Sequence, residues 1–108
     1  QERIFDVAVS GGRTIGPDGR CKTPVGTTVD VPNATYTNTI GAIELKKVWT
    51  DPEFDPSQHA IYYVRVLEIP TPRWTTYDAV RNQLELLPDV PAEIQERAWT
   101  SSIWYTPG

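Results

Sequence analysis

The chain has one cysteine, Cys21, and one histidine, His59, among 108 residues. A lone cysteine excludes an internal disulfide framework. One thiol and one imidazole are too few for a typical structural zinc site. They also make a poor start for a Cys-His or Ser-His-Asp machine, because the only imidazole sits in a proline-flanked, acidic loop. Long hydrophobic runs are missing. The longest, Ala60 to Leu67, is interrupted by Arg65 and falls short of the about 18 residues that a membrane helix needs. An excess of positive charge is missing too. Ten Lys and Arg against 14 Asp and Glu give a net charge of −4, which leaves no basic stripe for a phosphate backbone. Neither nucleic acid nor a membrane is expected as a partner.

What is present suits one small domain, residues 1–108, since domains most often hold about 100–150 residues. Hydrophobic residues make up 39%, enough for a core and against wholesale disorder. Ten prolines, seven glycines, four tryptophans and five tyrosines point to many turns and few helices. Period-two alternation marks strands. Phe5, Val7 and Val9 share one face of residues 4–10. Ile43, Leu45 and Trp49 share one face of residues 43–50, with Lys47 breaking the pattern unless its stem lies along the sheet. Shorter strands fit residues 26–31 and 35–39. Ala60 to Ile69 is apolar on both faces and reads as a central, doubly covered strand, with Val64, Val66 and Leu67 in the core. Pro70 to Pro72 should end it, because proline donates nothing to a ladder. Residues 98–105 read as the last strand. Tyr77, Val80 and Leu84 predict a short helix over residues 76–84, started by a Thr75–Asp78 box. Pro91 to Glu96 reads as one helical turn. The expected fold is mainly β: an antiparallel sheet or β-sandwich of about four to six strands with one short helix. A strand reading at the first residues also suggests a chain cut from something longer.

Several patterns admit two readings. Gly11 to Gly26 is a turn-rich surface loop. Asn33-Ala34-Thr35 matches a glycosylation sequon, or else Asn33 serves a turn after Pro32. Asp51, Glu53 and Asp55 resemble a calcium loop in composition, but lack the glycine and distal glutamate of that motif. The two Asp-Pro steps fit a rigid connector better. Arg65 in an apolar strand either emerges at a rim or meets a partner domain or an anion.

Three blocks carry a resemblance: residues 29–42, residues 47–56 running into residues 62–79, and residues 95–107. Together they resemble the C-terminal end of a large bacterial family described as domain of unknown function 3604. Proline is usual in that family where Ser102 stands, and arginine where His59 stands. Its members are several times longer, and their N-terminal part resembles a metallohydrolase of the polymerase-and-histidinol-phosphatase type. The resemblance implies that this chain is a non-catalytic accessory β module, scaffolding a catalytic domain of the same protein. It implies phosphoester or sulfate-ester hydrolysis for the parent, with a divalent metal there and no cofactor in this fragment. A periplasmic or secreted parent is compatible with it. The implied partner is the N-terminal catalytic domain, and self-association of the fragment alone is expected. Arg65, Arg73, Trp74, Tyr77, Trp99 and Trp104 are the candidate binding residues, and none is catalytic. The alternative is an independent carbohydrate- or ligand-binding module that uses exposed tryptophans. A third reading, an enzyme with paired carboxylates among Asp51, Glu53 and Asp55, places them all in one loop.

Overall fold

A computed structural model describes all 108 residues. Four strands and one helix form, in the order β1 (Ala60–Tyr62), β2 (Arg65–Pro72), α1 (Trp74–Asn82), β3 (Glu93–Trp99) and β4 (Ile103–Tyr105). They make two two-stranded antiparallel sheets, β1 with β4 and β2 with β3. No sandwich forms. The two sheets lie end to end as one ribbon, residues 60–72 against residues 93–105. Ala60 opposes Tyr105 and Tyr62 opposes Ile103, then Arg65 opposes Trp99 and Pro72 opposes Glu93.

Two irregularities interrupt the ribbon. At the first, Thr100 to Ser102 face only Tyr63 and Val64. The Thr100 amide donates to the Val64 carbonyl, and the Thr100 hydroxyl accepts from the Val64 amide, both at 2.9 Å. A side chain thus stands in for a backbone acceptor. At the second, the register shifts between Leu67 and Pro70, so Glu68 and Ile69 together face Glu96, as in a β-bulge. Each slip reverses the other's offset, so the register is the same at both ends. The strand expected over residues 60–69 is therefore real, but it breaks at Tyr63 and continues through Pro72. Pro70 and Pro72 are tolerated because β2 has a free outer edge, where a missing N–H costs nothing. The helical turn expected at Pro91–Glu96 is instead the start of β3, since Thr71 and Pro72 offer Ile94 and Glu93 a ladder.

The helix begins two residues earlier than expected, and not through the Thr75–Asp78 box. Arg73 is the cap residue and makes no side-chain capping bond. Instead the start is tied to the end of the loop before β3. The Arg73 amide and the Thr76 hydroxyl both donate to the Ala92 carbonyl, at 2.9 and 2.6 Å. Thr76 is the one fully buried side chain. At the far end Gln83 takes the left-handed conformation, and the Leu84 amide reaches back to the Ala79 carbonyl at 2.9 Å, a glycine-type stop made by glutamine. Thr76→Val in the intact protein is expected to cost about 1 kcal/mol, because the Ala92 carbonyl keeps its second donor. Thr75→Val, whose hydroxyl has no such bond, should cost less. Denaturant midpoints of the two variants check this.

Residues 1–59 build no ladder. The strands expected over residues 4–10, 26–31, 35–39 and 43–50 find no partner, apart from one bridge between Asp30 and Thr35. That bridge closes a turn in which Asn33 donates to Asp30 at 2.8 Å and Ala34, not Asn33, is left-handed, with φ 51°. Gly41 does need its freedom: φ is +77°, and a Cβ there would meet Ile69 of β2 at 2.6 Å.

The expected core is absent. Val64, Val66 and Leu67 are 47%, 53% and 53% exposed, because a two-stranded ribbon covers neither of its faces. Only 5 of 108 residues are buried. The molecule measures 62 × 26 × 22 Å, and its radius of gyration is 18.3 Å, against about 13 Å for a compact chain of this length. Its surface is 8775 Å², where a compact monomer of its mass exposes about 6,000 Å². The backbone makes 29 hydrogen bonds to itself, where about 70 are usual.

Candidate functional site

The ribbon places the six candidate residues in three groups along its length. Arg65 stands directly across from Trp99, and Leu67 across from Arg97. Opposed residues of antiparallel strands share a face, so this face carries two guanidinium groups beside an exposed indole. The other face of the same stretch carries Val64, Val66, Ala98 and Thr100, with no charge. Arg97 was missed in the sequence, because it falls between the helical turn read at residues 91–96 and the strand read at residues 98–105, and its place on this face depends on β3. Arg65 is exposed on this open face.

Arg73, Trp74 and Tyr77 form the second group, at the start of α1. Trp74 is exposed. Tyr77 lies under the Arg81 guanidinium, 5.7 Å from carbon to ring centroid. The Arg73 Nε is buried without a hydrogen-bond partner. Trp104 is alone at the other end of the ribbon, opposite Ile61 and also exposed. At about 3.3 Å per residue, the seven residues from Arg65 to Pro72 separate the first two groups by about 23 Å. No two of Trp74, Trp99 and Trp104 form the paired aromatic platform that a sugar face would need. The fourth tryptophan, Trp49, packs on Phe5 with ring centroids 5.2 Å apart.

The acidic stretch is a connector held by its own carboxylates. Asp51 accepts from the Glu53 amide at 2.8 Å, and Asp55 accepts from the amide and hydroxyl of Ser57 at 2.8 and 2.6 Å. These are local turns of the kind aspartate favours. The loop is pinned to the ribbon from outside: the Tyr62 hydroxyl donates to Asp51 at 2.6 Å, and the Tyr105 hydroxyl to the Pro56 carbonyl at 3.0 Å. Phe54 meets Tyr105 edge to face. No group of three or more His, Cys, Asp and Glu side chains converges anywhere. No helix is long and apolar enough to cross a membrane.

The tyrosine bonds have titration consequences. Donation to Asp51 holds the Tyr62 hydroxyl above its ordinary 10.0, and donation to Glu2 does the same for Tyr63. A pKa raised on folding contributes stability below pH 10 that is lost as pH climbs through the raised value. Asp55 behaves oppositely. Its bonds from Ser57 lower it below 3.8, so its contribution is present above that pH and lost as pH falls through the lowered value. In the intact protein, Asp51→Asn is expected to bring the Tyr62 midpoint down toward 10 and leave Tyr63 unmoved. Ring-carbon NMR of labelled tyrosine reads both.

The chain belongs to the family described as protein of unknown function DUF3604, whose family model matches residues 1–107. No curated protein and no solved structure matches it.

Proposed function

We propose that this chain is a non-catalytic β module at the C-terminal end of a larger, metal-dependent hydrolase-like protein of the phosphoester or sulfate-ester class, and that it scaffolds the catalytic domain. One observation carries the scaffolding reading: the chain leaves about 2,700 Å² more surface in water than a compact monomer of its mass would. That excess is about what one side contributes to a large permanent interface. It is also apolar where the ribbon faces are opposed, at Val64, Val66 and Ala98. The hydrolase class rests on the resemblance of residues 29–42, 47–56 with 62–79, and 95–107. Arg65, Arg97 and Arg73 suit the edge of such an interface, or an anionic group of the substrate, because a guanidinium fork matches phosphate and sulfate.

The test uses the intact protein with phosphate and sulfate monoester probes and added divalent metal. Replacing Asp51, Asp55 and His59 together with Asn, Asn and Ala is expected to leave turnover within about twofold of wild type, as substitutions outside the chemistry do. A hundredfold loss with an unchanged melting temperature would overturn the non-catalytic reading. Absence of any turnover on either ester would overturn the hydrolase class.

A further inference from the structure

Residues 38–50 make no backbone hydrogen bond, as donor or acceptor. Nor do Val7, Ala8 and Val9. Both segments run straight, without turn or helix, over residues 4–9 and 44–50. They lie antiparallel. Phe5 packs on Trp49, and Arg3 makes a two-pronged bond to Glu53 at 3.0 and 2.6 Å. Farther along, Val7, Val9, Leu45 and Lys47 line one open groove of about 390 Å³. Ile43 is 108% and Val48 93% exposed.

An extended run of this kind loses about 1–2 kcal/mol per residue in backbone entropy, and over residues 43–50 neither ladder bonds nor burial offset it. The missing complement is defined by the groups left open. A run of unpaired backbone N–H and C=O groups is matched by another extended backbone, not by a helix face. Charge narrows the choice further. The groove is lined by Arg13, Lys46 and Lys47 and by no carboxylate. Lys46 already pairs with Glu44 at 3.2 Å. Arg13 donates only to Ser10 and to the Thr23 carbonyl, and Lys47 makes no ion pair.

We infer that this groove is a strand-acceptor slot. It receives one extended segment of the catalytic domain, in which apolar side chains alternate with acidic ones, by β-augmentation. The inference rests on the scaffolding reading and specifies its point of attachment. Apolar residues of the incoming strand meet Val7, Val9 and Leu45, and its carboxylates meet Lys47 and Arg13.

Hydrogen–deuterium exchange of the intact protein tests it. Amides within residues 44–50 are expected to exchange at least a hundredfold more slowly than an unstructured chain. Lys47→Glu should reduce that protection about tenfold or more, whereas Lys22→Glu, at an exposed lysine near Asp18, should leave it unchanged. Fast exchange over residues 44–50, with β2 and β3 protected, would overturn the slot and leave the scaffolding reading standing. Fast exchange in all three would overturn both. Unchanged protection in Lys47→Glu would overturn the acidic strand and, with it, the inference as stated.

Discussion

Prepared alone, the 108-residue chain is expected to show no sharp melting transition as a monomer, and to sediment at micromolar concentration as associated species. A compact domain of this length unfolds with an enthalpy of about 75 kcal/mol. That heat comes from packing and hydrogen bonds that this chain makes only in part. Two-stranded ribbons are at best marginal in water by themselves. Here the ribbon leaves Ile61, Val66, Leu67, Trp99, Ile103 and Trp104 exposed, and β2 keeps an unpaired outer edge from Arg65 to Ile69. Exposed apolar faces and open edges associate. Sedimentation velocity with calorimetry decides the matter. A clean monomer with a cooperative transition near that enthalpy would show that the chain covers its own surface, and the scaffolding reading would fall.

The second large effect is a contrast between contexts. Val66→Asp should barely change the isolated chain, because a side chain that is half exposed keeps its carboxylate hydrated. In the intact protein the same change should cost about 3–5 kcal/mol, the usual penalty for an uncompensated buried charge. Val66 lies with Val64 and Ala98 on the face that carries no charge over residues 64–66 and 98–100, the face best suited to being covered. Arg97→Asp, on the opposite face beside Arg65 and Trp99, should be milder in both contexts. Chemical denaturation of the intact variants measures the difference. Equal, small effects for both substitutions in the intact protein would mean that the Val66 face stays in water.

The alternation in residues 60–69 and 98–105 marked extended chain in both arms of the ribbon but not their breaks at residues 63–64 and 100–102, which make four strands of two readings; Tyr77, Val80 and Leu84 were enough to place a helix within two residues of α1. The blocks at residues 29–42, 47–56 with 62–79, and 95–107 carried the family. Alternation reports which side of a strand is apolar, but it is blind to what lies on that side. It marked residues 4–10 and 43–50 as strands as well as residues 60–69, yet only the last found a ladder, because a ladder depends on a second chain segment at the right distance. The same blindness made Val64, Val66 and Leu67 look like core. Their apolar character is a property of the sequence, whereas their burial requires a covering layer that these 108 residues do not supply. The helical turn read at Pro91–Glu96 failed for a related reason. Local propensity there is weak, and pairing with Thr71 and Pro72 outweighed it. Only the tertiary structure showed the Thr100 hydroxyl replacing a backbone acceptor, Ala92 anchoring the helix, and Arg97 joining Arg65 on one face. Each of these depends on register, which is set by long-range pairing and leaves no mark on the residues themselves.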